Sequence, residues 1–244
     1  MGLSMVFFLL FGCAKPALLL DTSRIDNTTT PLSAILQSQG NPCQEKIKIV
    51  GTDRWTSTLL RWFTPLSADE QGFVAIIDRV NGAHHLALET TQKYSYDPDS
   101  QILINTVKSS PAKSLERIYV ESLLLYLQLP QLAEHLYSST SLQSFAQSDD
   151  LYHRFFFMRE SGGTDDPSID HYVAYWNVET KLLDYIVFTY RDLSLSYKGV
   201  LHYSDYQNLL DRKYPMRIAI KDSIGDSEEI HRIQITDIAC VDGG

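Results

Sequence analysis

Apolar and polar positions alternate along most of this 244-residue chain with the period of two that marks β-strands. The clearest block covers residues 171–221. Its first run, His171-Tyr-Val-Ala-Tyr-Trp-Asn177, turns through Val178-Glu-Thr180 into a second run that ends Tyr185-Ile-Val-Phe-Thr-Tyr190. Gly199-Val-Leu-His-Tyr-Ser-Asp-Tyr206 and Met216-Arg-Ile-Ala-Ile-Lys221 follow, each after a short polar break. β-Branched and aromatic residues dominate these runs and pack well on a pleated surface. Ile186, Phe188 and Tyr190 fall on one side of their strand, with Tyr185, Val187 and Thr189 on the other; Met216, Ile218 and Ile220 face away from Arg217 and Lys221. Connections this short join antiparallel neighbours, so the block predicts a β-meander.

The amino-terminal half reads the same way. Strands are predicted over 46–50, 55–63 and 72–78. The hairpin dipeptide Asn81-Gly82 leads into a fourth strand through Leu86 and Leu88 to Tyr94 and Tyr96, and 101–106 returns after Asp97-Pro98-Asp99. One or two helical turns are expected over 32–39. The period changes at Ser110-Pro111, which has the form of a helix start: a capping side chain, then proline at the first helical position. This helix is expected to run to about Gln128 and stop at Pro130, with one or two further helices over 131–147. Leu115, Ile118, Tyr119 and Leu125 share one of its faces; Val120, Leu123, Leu124 and Leu127 lie on another. A surface helix shows one apolar stripe, so this helix needs cover on two sides. Strands resume with Tyr152-His-Arg-Phe-Phe-Phe-Met158 and close with 229–238. The total is about eleven strands and one helical insertion, in a single domain over 32–244.

Composition narrows the function classes. With 44% hydrophobic and 21% charged residues the chain is ordinary globular material, long enough for a sizeable core. A net charge of -9 and the lack of any Lys/Arg run argue against nucleic acid as a partner. Fourteen tyrosines, ten phenylalanines and three tryptophans supply aromatic faces; stacking on sugar rings is one use for them and plain sheet packing the other.

The chain opens Met1-Gly-Leu-Ser-Met-Val-Phe-Phe-Leu-Leu-Phe-Gly-Cys13. This apolar run is too short to span a bilayer, which takes about 20 residues. Leu10-Phe11-Gly12-Cys13 resembles the lipobox of a bacterial lipoprotein signal peptide. That resemblance implies removal of residues 1–12, a diacylglycerol on Cys13, and a membrane anchor followed by a flexible tether over 13–31. No Lys or Arg precedes the run, and Phe11 is bulkier than the pattern usually carries; a start upstream of Met1 accounts for the missing charge. Ala14 after the cysteine resembles the sorting signal for the outer membrane, on its periplasmic face. The other reading is an apolar strand with a chance cysteine. With Cys13 lipidated, Cys43 and Cys240 remain. In an oxidising compartment they pair as a disulfide joining the start of the domain to its last strand, or they stay as two buried thiols.

Enzyme signatures are absent. There is no Gly-x-Ser-x-Gly elbow, no phosphate-binding glycine loop, no His-x-x-x-His and no Cys-x-x-Cys. The serine in Glu160-Ser-Gly-Gly163 has no strand-turn-helix context. His84 and His85 are neighbours on a strand and so point to opposite faces, which suits no metal. His171, His202 and Asp205 are the one set that a meander could bring together. No catalytic residue, cofactor or metal is expected.

Asn177, Glu179-Thr180, Thr189-Tyr190, Gly199, Asp205-Tyr206 and Pro215 follow one recurrent order: a strand ending in Asn, a Glu-Thr turn, a strand ending in Thr-Tyr, a Gly-initiated strand with Asp-Tyr, then Pro. This order resembles a pattern in uncharacterised bacterial envelope lipoproteins, which are similar to the periplasmic lipoprotein-carrier (Lol-type) superfamily. The resemblance covers about a quarter of the chain. It implies an incomplete antiparallel barrel with helices over its concave apolar face, where acyl chains bind. A long meander also curls by its own twist. The expected class is therefore α+β: a curved sheet of about eleven strands with a helical insertion covering its concave face. The expected function is a non-enzymatic, membrane-anchored periplasmic lipoprotein that binds a lipid or acyl chain. Leu123, Leu124 and Leu127 are the first candidates to line the cavity, then Phe155, Phe157, Trp176 and Phe188. The alternative is an envelope scaffold or partner-binding module in which those residues fill a closed core.

Overall fold

A computed structural model describes residue 43 and residues 45–56, 70–78, 83–89, 93–97, 102–111, 114–132, 138–147, 149–158, 166, 168–191, 194–209 and 212–241. The expected signal peptide, Cys13 and tether, the turns over 32–39, most of the strand over 55–63, Asn81-Gly82 and Glu160-Ser-Gly-Gly163 lie outside these residues.

Period-two alternation over these residues gives thirteen strands: β1 (Lys46–Trp55), β2 (Glu70–Asp78), β3 (His84–Leu88), β4 (Lys93–Asp97), β5 (Ile102–Asn105), β6 (Ser110–Pro111), β7 (Ser138–Gln147), β8 (Asp150–Met158), β9 (His171–Asn177), β10 (Leu183–Thr189), β11 (Lys198–Leu209), β12 (Arg212–Lys221) and β13 (His231–Val241). One helix, α1 (Ser114–Leu132), lies between β6 and β7. All thirteen strands join one sheet in the order β6-β5-β4-β3-β2-β1-β13-β12-β11-β10-β9-β8-β7. Two meanders are thus sewn together at a single seam, where β1 runs antiparallel to β13 from Lys46 opposite Val241 to Trp55 opposite His231. Cys43 and Cys240 form a disulfide at one end of this seam, with Cα atoms 5.3 Å apart.

The edges of the sheet are β6 and β7, and α1 connects them in sequence. A sheet of thirteen twisted strands curves rather than lying flat. Register shifts at Val50/Gly51, Leu183/Tyr185 and Leu142/Phe145 mark bulges, which bend strands and raise local twist.

One face is apolar from β4 to β8. Tyr94, Leu86, Phe73, Ile49, Ile233, Ile218, Leu201, Ile186, Ala174 and Phe155 all belong to one cluster of buried side chains. A smaller second cluster sits on the other face, with Phe156, Met158 and Val173 beside Leu142 and Ile169. Both faces of β8 and β9 are therefore covered, which explains the unbroken Phe155-Phe-Phe-Met158 run.

The expected α+β class is corrected here. The fold is an open, curved, almost entirely antiparallel sheet with thirteen strands rather than eleven, and α1 is one helix against it, not a helical layer. Three misreadings made the difference. Ser110-Pro111 pairs with Asn105 and Ile104 as a short edge strand, and the helix begins after it and continues past Pro130. Residues 138–147, expected as helix, are β7, whose polar sequence is held extended by its pairing with β8. The expected fourth strand is two, β3 and β4, paired antiparallel.

Candidate functional site

The inner face takes its shape from strand register. Phe155 and Phe157 of β8 lie opposite Ala174 and Tyr172 of β9, and Ile186 and Phe188 of β10 lie opposite the same two residues. Phe157 stacks on Tyr172 at 5.1 Å between centroids. Phe188 lies over Gly199, its partner on β11; a Cβ there would stand 2.9 Å from the Phe188 ring, so only glycine leaves room for it. Trp176 continues the face two positions beyond Ala174.

Helix α1 packs its apolar side onto this surface. Leu123, Leu124 and Leu127 are buried, at 0, 4 and 3% exposure, in the same cluster as Phe155, Phe157, Trp176 and Phe188. Tyr126 reaches across the curl: its ring is 5.5 Å from Phe188 on β10 and 6.5 Å from His231 on β13. The seven residues that the sequence singled out therefore share one contiguous apolar body. No helix among the described residues is long and apolar enough to cross a membrane, and the two apolar faces of α1 are used against the sheet.

Polar contacts pin the helix in place. Asp53 is fully buried on β1 and accepts a hydrogen bond from the Tyr119 hydroxyl at 2.5 Å, while Gln71 on β2 donates to that hydroxyl at 2.9 Å. The other Asp53 oxygen meets Nε2 of His231, 2% exposed on β13. Trp55 stacks on the His231 ring at 4.1 Å. Farther along, the Tyr190 hydroxyl donates to the Ile118 carbonyl at 3.1 Å. Burial, and then the Asp53 charge, hold the Tyr119 phenol well above the ordinary tyrosine range; burial does the same to Tyr126 and Tyr203. These hydroxyls stay protonated, and that of Tyr119 donates to Asp53. A buried carboxylate is tolerated only when its oxygens are satisfied, and here two elements of the seam and the helix converge on one.

Sequence reading missed Asp53 and His231. A signal was present: Asp53 is in phase with the inward Ile47, Ile49 and Gly51, and His231 with Ile233 and Ile235, so each places a polar group on an apolar face. The expected set of His171, His202 and Asp205 does not assemble. Tyr172 pairs with Phe188 at one end of β10, and His202 pairs with Tyr185 nearer the other. His171 packs edge-on against Phe156, and its backbone N–H donates to Thr189 at 2.8 Å. His202 stacks on Tyr185 at 4.7 Å. Among the described residues no three His, Cys, Asp or Glu side chains converge as metal ligands.

No protein-family model and no curated protein matches the sequence. Solved structures do match. A LolA superfamily protein from Nitrosomonas europaea superposes with a TM-score of 0.59 at 13% identity, over 88% of this chain and 96% of that one. A DUF1329 family protein from Desulfovibrio piger ATCC 29098 aligns over 87% of this chain and 91% of that one, at 9% identity and a TM-score of 0.42. The Lol-type resemblance read from the hairpin motifs holds at the level of fold.

Proposed function

We propose that this protein is a non-enzymatic bacterial envelope lipoprotein that binds one apolar ligand, a lipid or acyl chain, between α1 and the inner face of the sheet. Cys13 carries the lipid anchor, and the domain stands on the periplasmic side of the outer membrane. The observation that carries the reading is the helix. It covers a largely aromatic and aliphatic face, and among the described residues its side-chain ties to the rest of the fold are few: Tyr119 to Asp53 and Gln71, Tyr190 to the Ile118 carbonyl, and Lys108 to Glu116. Such a helix can move aside and leave Leu124, Phe155, Phe157, Trp176 and Phe188 to contact an acyl chain. Support also comes from Tyr203, whose buried hydroxyl on the same face has no hydrogen-bond partner among the described residues; an ester or carboxyl oxygen of a ligand would satisfy it. The Lol-like fold is consistent with this use.

The alternative, a scaffold with a filled core, is favoured by one observation: with the helix in place these side chains are almost completely buried against one another. Native mass spectrometry decides between the two. The protein is purified gently from a bacterial envelope. Ligand binding predicts a releasable adduct of lipid mass that disappears in Leu124→Asp while the circular dichroism of the sheet is kept. A bare protein mass that persists after incubation with vesicles of envelope lipid favours the scaffold.

A further inference from the structure

The opposite face of the sheet carries a separate groove of about 340 Å3. Its floor is a row of valines from three adjacent strands: Val187 of β10 is paired in register with Val173 of β9 on one side and Val200 of β11 on the other. The loop that follows β12 folds over this row and contributes Ile224.

Charge is distributed unevenly along the groove. Lys198 and Asp222 share one end: Lys221 pairs with Val200, which places Asp222 beside the start of β11. Arg154 on β8 stands at the other end, opposite Tyr175. It is only 8% exposed. Its Nε donates to the Gln143 carbonyl at 2.7 Å, and its guanidinium carbon lies 5.6 Å from the centroid of the Phe145 ring. No carboxylate among the described residues forms an ion pair with it. A guanidinium keeps its charge at any working pH and has four further N–H donors once Nε is used. A buried cation without a counter-charge is costly, and in a chain of net charge -9 it is out of keeping with its surroundings. Three strand spacings separate β8 from β11, about 14 Å, the reach of a medium-length acyl chain. The volume is near the lower limit of about 300 Å3 for small-ligand pockets, which fits one chain and not several.

We infer that this groove binds a single medium-chain fatty acid, its carboxylate on Arg154 and its chain along Val173, Val187 and Val200 beneath Ile224. The site is distinct from the inner face and does not depend on the function proposed for it.

The test is titration of the full-length protein with sodium dodecanoate labelled with carbon-13 at the carboxyl carbon, below its micelle concentration and followed by NMR, with dodecanol as the neutral control by calorimetry. The expected result is saturable binding with a shifted carboxyl resonance, weakened at least tenfold in Arg154→Gln. Dodecanol binds the wild type at least tenfold more weakly than dodecanoate, and Arg154→Gln does not change that value. The comparison of the two head groups uses only the wild type, so it stands even if Arg154→Gln unfolds. Equal affinity for dodecanoate and dodecanol, or no saturable binding of either, overturns the proposal. Dodecanoate binding that is lost in Leu124→Asp but kept in Arg154→Gln places the fatty acid on the inner face and overturns it as well.

Discussion

Breaking the disulfide tests how the two meanders are held together. Cys43 and Cys240 are 197 positions apart and close almost the whole described sheet into one covalent loop at the end of the β1–β13 seam. In the chain-entropy model a loop of that size removes about 18 cal/mol/K from the unfolded ensemble, which is about 5 kcal/mol at 25 °C. The double variant Cys43→Ala/Cys240→Ala removes the crosslink; Cys43 is buried and Cys240 is exposed beside the seam, and alanine adds no bulk. Unfolding in guanidinium chloride, followed by tryptophan fluorescence, compares the variant with the oxidised wild type. With a slope of about 4 kcal/mol/M for a domain of this size, the midpoint should fall by roughly 1 M. The slope should rise somewhat, because the unfolded chain without the crosslink is less compact. Hydrogen exchange adds a spatial readout: amides of β1 and β13 should lose protection before those of β9 and β10, since among the described strands the seam is the one pairing that joins the two meanders. A midpoint shift under about 0.2 M at unchanged slope would mean that the crosslink does not constrain the unfolded chain.

Two further predictions rest on buried polar groups. Asp53→Ala removes the acceptor shared by Tyr119 and His231 and should cost about 2–6 kcal/mol, since it leaves two buried partners unsatisfied; Tyr119→Phe, which removes one hydroxyl, should cost about 1–3 kcal/mol. Urea midpoints for the pair measure this, and an Asp53→Ala effect below that of Tyr119→Phe contradicts the central role of Asp53. The second concerns pH. Burial, then the charges of Lys221 and Arg217, push the His202 imidazole down to about 4, against an unfolded value of about 6.5. Between those values the unfolded chain binds the extra proton, so this contribution is full above about pH 6.5 and declines as pH falls toward 4. The half-buried ring is partly screened, which sets the loss at about 1–2 kcal/mol. Stability curves of wild type and His202→Gln should converge as pH is lowered from 7 to 4.5, and parallel curves over that range contradict the assignment.

Much of the fold was readable in the chain because strand alternation is local. Ile186 and Phe188, or Met216, Ile218 and Ile220, declare their inward face by spacing alone, and they are buried on it. Period-two spacing on the strands and helical spacing on α1 likewise marked as apolar the seven residues Leu123, Leu124, Leu127, Phe155, Phe157, Trp176 and Phe188, which share one buried cluster. The Lol-like hairpin order was equally local. What the chain by itself determined was therefore the antiparallel meanders, the helix that needs cover on two sides, and the presence of Cys43 and Cys240 near the two ends of the domain.

How those pieces close depends on contacts between residues far apart in the chain. The β1–β13 seam pairs the two ends of the domain, and nothing within a window of a few residues specifies that pairing. β7 is a strand because β8 offers it a hydrogen-bonding edge; its own polar residues 138–147 have no firm preference. Asp53, Gln71, Tyr119 and His231 are scattered over 178 positions, and each alone looks like an ordinary polar residue on a strand or helix. They become a buried network only when the sheet curls around α1, and Arg154 becomes a buried cation with no ion-pair partner among the described residues only when the loop after β12 closes over its face. Burial and charge pairing are properties of the folded neighbourhood, so the sites they create are set by topology while the strands that carry them are set by local pattern.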